Sequence, residues 1–282
     1  MAFMITFSMQ AQIPDHLKNN PLLMNWDTPY ETPPFDLIKD EHYLPAFEYA
    51  LKVAKEEIRR IEQTKQFPTF RNTIEALDAS GSLLNKISGI FFNMNYCNTT
   101  PELQKLAREI SPMLTEYSND IYLSAPLFRR VKSVYENPGE LTTEQAMLLD
   151  KTYKAFINSG ANLSPQDKET FREISVELSK LSLLFGENVL ASTNDYVKNV
   201  LDEKELSGIP QQSLQIAKEK AKSKGLEGWA FDLSYPSYSA VMTYADNREL
   251  RKELYLRYNQ RAYNDQFDNQ ENIKKIVSLK YD

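Results

Sequence analysis

The stretch that decides the fold is residues 225–262, G-L-E-G-W-A-F-D-L-S-Y-P-S-Y-S-A-V-M-T-Y-A-D-N-R-E-L-R-K-E-L-Y-L-R-Y-N-Q-R-A. Apolar and polar residues alternate over 229–233, as is typical of a half-buried strand. Helical spacing follows over 237–263, with a break predicted at Asp246 and Asn247. A second short strand is predicted over 196–201, and we expect the two strands to pair.

Upstream of this stretch, apolar residues recur at helical spacing. Between residues 40 and 64 the intervals alternate between three and four, which predicts one buried face of an amphipathic helix: Leu44, Phe47, Leu51, Ala54, Ile58 and Ile61. Thr100 before Pro101, Ser124, and Ser164 before Pro165 are start signals of further helices. The sequence therefore predicts a mainly α fold of long antiparallel helices with one small two-stranded β element.

Between the first helix and Thr100, one further helix is predicted. Asn72 or Thr73 is expected to cap it, and its inward residues are Ile74, Leu77, Leu84, Ile87, Phe91 and Met94.

The chain divides into four predicted segments. Residues 1–11 are apolar and uncharged and resemble a clipped signal segment, which predicts an exported or periplasmic protein, with a cytoplasmic protein as the alternative. Residues 12–39 form a proline-rich wrapping loop, with Leu22, Leu23, Trp26, Phe35 and Ile38 as its anchors. Residues 40–193 form a helical domain. Residues 194–282 combine the short strands with further helices.

Composition excludes several classes of function. The net charge of −6, with no basic cluster, argues against generic nucleic-acid binding. No apolar run is long enough to cross a membrane. With only 8 glycines, the chain favours long helices over many short strands. Its one cysteine, Cys97, excludes an internal disulfide and is expected to be a half-buried side chain beside Tyr96.

No catalytic, cofactor-binding or metal-ligating residue is predicted. A zinc peptidase of the H-E-x-x-H type needs two histidines four residues apart on a helix, with a glutamate between them as general base. Here His16 and His42 lie 26 residues apart, the first expected in a solvated loop and the second in the first turn of a helix. The adjacent carboxylates Glu56–Glu57 and Asp202–Glu203 are interpreted as solvated surface charge, because neighbouring helical residues point in different directions. Five aromatic residues are interpreted as core: Trp229, Phe231, Tyr235, Tyr238 and Tyr244.

Four blocks in order resemble the family of thimet oligopeptidase, oligopeptidase A and peptidyl-dipeptidase Dcp. They are D-E-H-Y-L-P-A-F-E-Y-A-L (40–51), P-T-F-R-N-T-I-E-A-L-D-A-S-G (68–81), E-L-S-G-I-P (205–210) and the stretch 225–262. The first two resemble the Dcp branch most. The blocks span nearly everything after the N-terminal loop.

This resemblance implies the N-terminal half of a two-lobed zinc metallopeptidase. In that family the N-terminal helices wall a deep channel, and the H-E-x-x-H helix lies in the C-terminal half, so no zinc ligand is carried onto this chain. Zinc is implied for the parent enzyme, with the missing catalytic half and short peptides as partners. The chain alone is expected to be inactive. The alternative is a stand-alone helical module that binds peptides or proteins without catalysis.

The last helix bears on these two alternatives. The sequence ends within a predicted helix, at residues 273–282, which favours the N-terminal half of a peptidase over a stand-alone module. We expect this helix to leave Ile273, Ile276, Val277 and Leu279 without a partner surface.

Overall fold

A computed structural model describes residues 13–281. Helices account for 70% of the described residues, which confirms the mainly α prediction. The α-helices are α1 (Asp40–Gln63), α2 (Ala76–Ala79), α3 (Ser82–Cys97), α4 (Pro101–Tyr122), α5 (Ala125–Glu136), α6 (Thr143–Asn158), α7 (Pro165–Asp195), α8 (Gln211–Ser223), α9 (Tyr235–Tyr244), α10 (Arg248–Asn259) and α11 (Gln270–Tyr281). A π-helix covers Phe70–Glu75, and short 3-10 helices cover Asp15–Leu17, Pro29–Glu31 and Glu203–Leu206.

The predicted strands form one two-stranded sheet within the described part of the chain. Strand β1 (Val197–Val200) pairs antiparallel with β2 (Trp229–Asp232), in a register that sets Val197 opposite Asp232 and Val200 opposite Trp229. Helix α8 lies against β2 and covers the sheet. The predicted break at Asp246 and Asn247 is also present, since it separates α9 from α10.

The helix start signals work as the sequence predicts. The Thr100 hydroxyl accepts a hydrogen bond from the Leu103 amide at 3.1 Å. The Ser124 hydroxyl likewise caps α5 by accepting from the Leu127 amide at 3.2 Å. Each contact satisfies one of the amide groups that a helix leaves unpaired at its start.

One predicted helix is wrong, because the segment between α1 and α4 is broken. Thr69, rather than Asn72 or Thr73, caps the π-helix. In turn, the Asn72 side-chain oxygen accepts a hydrogen bond from the Thr69 amide at 2.9 Å. The chain then turns at Gly81, whose φ of +71° is one that residues with a side chain rarely adopt. Helix α3 therefore begins anew at Ser82.

The described chain forms two compact units, 13–180 and 181–281, and the boundary lies within α7. Unit 1 has a core between α1, the π-helix, α5 and α6: Ile58, Ile61, Ile74, Leu127, Phe128, Val131, Val134, Leu149, Phe156 and Ala161. Unit 2 has its own core around the sheet: Val200, Leu206, Ile209, Leu214, Ala217, Phe231, Val241, Ala245, Leu250 and Leu254. The segments predicted from sequence, 40–193 and 194–282, stay a prediction, and residues 1–11 lie outside the described residues.

Candidate functional site

A groove of about 1700 Å³ opens in unit 1, and we call it the unit 1 groove. The beginning of the wrapping loop, α1, α3 and α4 supply its lining residues. Apolar side chains such as Leu23, Leu83 and Met113 contribute to the lining, together with charged side chains of both signs. A surface of this mixed character suits a ligand with both apolar and ionic groups.

The charged wall of the groove follows from the periodicity of α1. Phe47, Ala50 and Ala54 are fully or almost fully buried and fix the inner face of this helix. Lys52 and Arg59 fall on a different face of the helix, and both line the groove as exposed side chains. The packing of α1 against α3 and α4 thereby determines which charges the groove presents.

Three charged residues of α1 form a connected cluster at the groove. Arg59 donates two hydrogen bonds to the Glu56 carboxylate, from Nε at 2.8 Å and from Nη2 at 2.7 Å. Arg60 Nε donates a third at 3.3 Å. These donors stabilise the ionised form, and the Arg59 hydrogen bonds chiefly lower the pKa of Glu56 from 4.5 to about 2. Glu56 is therefore an ionised partner of the arginines and is not suited to general acid or base chemistry near neutral pH.

The wrapping loop is anchored beside the groove as predicted. Leu22 is fully buried, and the Asn20 side-chain amide donates to the His42 carbonyl at 2.8 Å, which ties the loop to α1. The Trp26 indole donates to the Pro21 carbonyl at 2.7 Å, and this contact fixes the ring. Phe35 is wrong as an anchor: it is half exposed, because it follows two prolines in a turn that keeps it at the surface.

Lys86 of α3 is held over the face of Trp26. Its Nζ lies 3.4 Å from the ring centroid, within the range of a cation–π interaction. The Lys86 side chain is half-buried, and burial lowers its pKa while the field of Glu31 acts in the opposite direction. The groove therefore holds an ammonium group in a defined position by an aromatic ring.

The structure places the two histidines as the sequence predicts, and neither belongs to a group of three possible metal ligands among the described residues. His16 is exposed on a 3-10 helix in the wrapping loop. His42 lies in the first turn of α1, where its Nδ1 accepts the Lys39 amide at 3.0 Å. Within residues 13–281, no group of three or more His, Cys, Asp or Glu side chains could hold a metal ion. The described residues thus do not fit the zinc that the family resemblance implies.

Cys97 corrects one expectation, since it is exposed rather than half-buried. It is the last residue of α3, and the buried face of that helix ends at Ile90 and Phe91. The neighbouring Tyr96 is 91% exposed, so this end of the helix has no core to pack against.

The aromatic interpretation is partly wrong. Phe231 is buried in the unit 2 core, and Trp229 and Tyr238 pack against that core. Tyr235 and Tyr244, however, are 71% and 52% exposed. They are the first and last residues of α9, whose buried residues, Ala240 and Val241, lie between them.

The carboxylate pairs do not act as pairs. Glu57 accepts a hydrogen bond from the Gly81 amide at 2.8 Å, apart from the contacts of Glu56 with the arginines. Asp202 caps a 3-10 helix by accepting from the Lys204 amide at 3.0 Å, and Glu203 is exposed. Each carboxylate therefore has a local structural role or is solvated.

Curated relatives identify the lineage of the chain. It is 33% identical over 265 residues to a dipeptidyl carboxypeptidase of Escherichia coli and 33% identical over 270 residues to oligopeptidase A of the same organism. Each alignment covers 93% of this chain and 39% of the relative. A probable cytosolic oligopeptidase A of Arabidopsis thaliana is 32% identical, over 94% of this chain and 38% of the relative. No family model matches.

Over 93% of its length the chain is homologous to dipeptidyl carboxypeptidase and oligopeptidase A. It spans about two-fifths of the length of the relatives that it matches. This confirms the resemblance drawn from the four sequence blocks.

Sequence analysis did not select two residues of this site as functional: Lys86, which lines the groove, and Trp26, whose ring lies against Lys86. Lys86 is the one charged residue of α3, and Trp26 lies in a loop. Their contact joins segments that are distant in the chain, so no local pattern indicates it. A lysine one turn from the apolar Leu83 is the one weak signal that α3 presents a charge beside an apolar surface.

Proposed function

We propose that this chain is the non-catalytic helical part of a zinc-dependent peptidyl-dipeptidase, which releases C-terminal dipeptides from short peptides. In this proposal the chain walls the substrate channel. The proposal rests on the 33% identity to a dipeptidyl carboxypeptidase over 93% of this chain but only 39% of the relative. The remaining length of such a protein offers room for the catalytic machinery.

The division of roles follows from what the described residues contain. Since residues 13–281 have no group suited to a metal ion, zinc and the general base are assigned to the other part of the enzyme. The unit 1 groove, with its apolar and charged lining, is the surface proposed to face the peptide. Its contribution would be to confine and orient a substrate rather than to move protons.

A surface for the catalytic part is proposed on α11. Ile273 is 45% exposed and Val277 is 61% exposed, one helical turn apart. Ile276 and Leu279 are only partly buried, so the apolar side chains of this helix remain incompletely covered. Covering such a surface with a second protein region would remove apolar area from water and stabilise the complex.

The test is reconstitution. The coding sequence that adjoins this segment is read for an H-E-x-x-H motif, and the region carrying it is produced separately. We expect the 282-residue chain alone to retain no stoichiometric zinc after dialysis and to hydrolyse no peptide. Mixing it with the zinc-bearing region should give a complex that releases C-terminal dipeptides.

Two results would contradict the proposal. Zinc-dependent hydrolysis by this chain alone would show that catalysis resides here. Failure of two folded pieces to associate at micromolar concentration would favour the alternative, a helical module that binds peptides or proteins without catalysis.

The compartment is also a proposal. The names of the relatives include a probable cytosolic and an organellar oligopeptidase A, and they do not support export. Among the described residues, none of the helices is long and apolar enough to span a membrane. We propose the cytoplasmic alternative, which fractionation with an antibody to this chain would test.

A further inference from the structure

The charge of the unit 1 groove is opposite to that of the whole chain. Its described lining carries six cationic side chains and four carboxylates, whereas the whole chain has a net charge of −6. Two of the four carboxylates, Glu56 and Glu57, already accept hydrogen bonds from arginines and from a backbone amide. The groove thus offers a local positive field on an acidic protein, and such fields concentrate anions.

Two of the cations have no carboxylate partner within the described residues. Lys52 makes no ion pair with any residue from 13 to 281, unlike Lys55, which pairs with Asp120 at 3.0 Å. Lys86 rests on the Trp26 ring and is likewise outside any ion pair in that range. The charge of Glu31 raises the pKa of Lys86, against the effect of burial, although Glu31 makes no salt bridge with it.

Lys86 is the more informative of the two lysines. A half-buried ammonium group loses part of its hydration, and protein structures usually compensate such a loss with a carboxylate. Here the ring of Trp26 supplies only part of that compensation. The field of Glu31 supplies a further part, but no carboxylate among the described residues makes a salt bridge with Lys86.

Beside these lysines the groove is apolar. Leu83 precedes Lys86 by one helical turn, and Met113 of α4 lines the same groove. A ligand that places a carboxylate at the lysines would therefore find a surface for an adjacent apolar side chain. Two ammonium groups and an apolar surface in the same groove fit a short peptide better than they fit a small inorganic anion.

We propose that the unit 1 groove binds short peptides through a carboxylate that pairs with Lys86 and Lys52, with a neighbouring apolar side chain against Leu83 and Met113. The carboxylate is that of an acidic side chain or of the peptide C-terminus. The inference rests on the proposed function in one respect: the ligand class is peptide. Binding itself requires no catalytic part.

The experiment uses the full chain with Trp229→Phe. The chain has two tryptophans, so this variant leaves Trp26 as the single indole reporter beside Lys86. Three acetylated pentapeptides that differ in their carboxylate are titrated: acetyl-Ala-Leu-Glu-Leu-Ala-amide, acetyl-Ala-Leu-Gln-Leu-Ala with a free C-terminus, and acetyl-Ala-Leu-Gln-Leu-Ala-amide. Calorimetry with the unmodified chain provides a second readout.

At least one carboxylate peptide should bind about tenfold more tightly than the uncharged peptide, and the advantage should shrink in high salt. The first two peptides distinguish the side-chain carboxylate from the terminal one. Equal affinity of all three peptides, or absence of binding up to about 1 mM by a folded chain, would overturn the proposal.

Variants locate the binding. Lys52→Glu and Lys86→Met should each remove most of the tenfold preference, measured by calorimetry because the second variant alters the surroundings of Trp26. Lys151→Glu serves as the control. Lys151 is an exposed lysine of α6 outside the groove lining, and its replacement changes the net charge as Lys52→Glu does. An equal loss in Lys151→Glu would mean that net charge alone acts, and this would contradict the assignment.

Failure here differs from failure of the proposed function. If dipeptidase activity is reconstituted but binding does not depend on a carboxylate, the proposed binding site in the groove is wrong and the proposed function stands. If binding depends on a carboxylate but no activity is reconstituted, the proposed binding site stands and the proposed function is wrong.

Discussion

At the scale of single residues, Arg130 holds together a segment of unit 1 that has little regular structure. Its guanidinium donates to the carbonyls of Thr64 and Gln66 at 3.2 Å each. It also donates to the Asn72 side chain at 3.0 Å and to the Thr73 hydroxyl at 3.1 Å. The residue is only 8% exposed, and its burial lowers the pKa of the guanidinium. Four acceptors from the α1 exit and the π-helix therefore depend on one buried cation.

Arg130→Met should lower the free energy of unfolding by about 3 kcal/mol, because four acceptors, among them the buried Thr73 hydroxyl, lose a charged donor and gain none. Urea unfolding measures this. Arg129→Met is the matched control: Arg129 is the exposed neighbour on the same helix, and the expected change is within about 0.5 kcal/mol. Similar losses in both variants would show that Arg130 has no special role.

Glu56 gives a prediction about acid. Its folded pKa, about 2, lies below its ordinary value of 4.5. The stabilisation from this group is therefore complete above pH 4.5 and is lost as the pH falls from 4.5 towards 2. Side-chain carboxyl NMR should show a midpoint near 2 for Glu56. In Arg59→Gln, which removes two of its three hydrogen bonds, the midpoint should move towards 4.5. A midpoint above 4 in the unaltered protein would contradict the contact geometry.

At the scale of elements, local sequence signals were sufficient to predict a helix start or a buried face where it depends on contacts between residues close in the chain. Thr100 and Ser124 cap helices through hydrogen bonds to amides three residues ahead, so the sequence alone predicted both starts. The apolar intervals of α1 likewise predicted its buried face. The break at Gly81 was missed, because a single glycine within an apolar periodic pattern is also compatible with a continuous helix.

The candidate site depended on non-local contacts and was therefore not predictable in the same way. Lys86 and Trp26 come from different segments, and only the packing of the wrapping loop on α1 brings them together. The exposure of Cys97 had a similar cause. Whether the last turn of α3 meets other protein depends on the arrangement of its neighbours rather than on its own composition.

The two-stranded sheet provides a prediction at this scale. Gly228 has a φ of +78°, and a Cβ there would overlap the carbonyl oxygen of Val200, the last residue of β1. Gly228→Ala should therefore destabilise the protein by roughly 2–4 kcal/mol, through backbone strain and loss of the close approach.

Gly89→Ala is the control for this change. Gly89 lies inside α3 with ordinary φ, and a Cβ there meets nothing within 4 Å. This variant should stabilise the protein by about 0.5–1 kcal/mol, because alanine loses less backbone entropy in a helix. Thermal unfolding of the two variants should thus shift in opposite directions. A shift of the same sign in both would contradict the role assigned to Gly228.

At the scale of the whole molecule, each unit has its own apolar core, and the chain matches relatives of much greater length. The buried apolar core of unit 2 lies around the sheet, and α11 is one of the elements of this unit that carry exposed apolar side chains. Such a distribution is typical of a region that contacts further protein.

Replacing Ile273 and Val277 together by serine should leave the helical content of this chain unchanged, because both side chains are already 45% and 61% exposed. The same double variant should weaken association with the zinc-bearing region at least about tenfold, as loss of a central apolar contact does. Ile216→Ser, an equally exposed position on α8, is the control and should have little effect. Loss of association in the control, or normal association of the double variant, would place the interface elsewhere.

The exposed Cys97 has a practical consequence. It is the one thiol in the chain and lies at the end of the helix that carries Leu83 and Lys86. A maleimide dye or a spin label can therefore be attached at a single known site without denaturant and without first removing other cysteines. The same thiol will join two copies of the chain by a disulfide when purified protein stands in air, so preparations for calorimetry require a reductant.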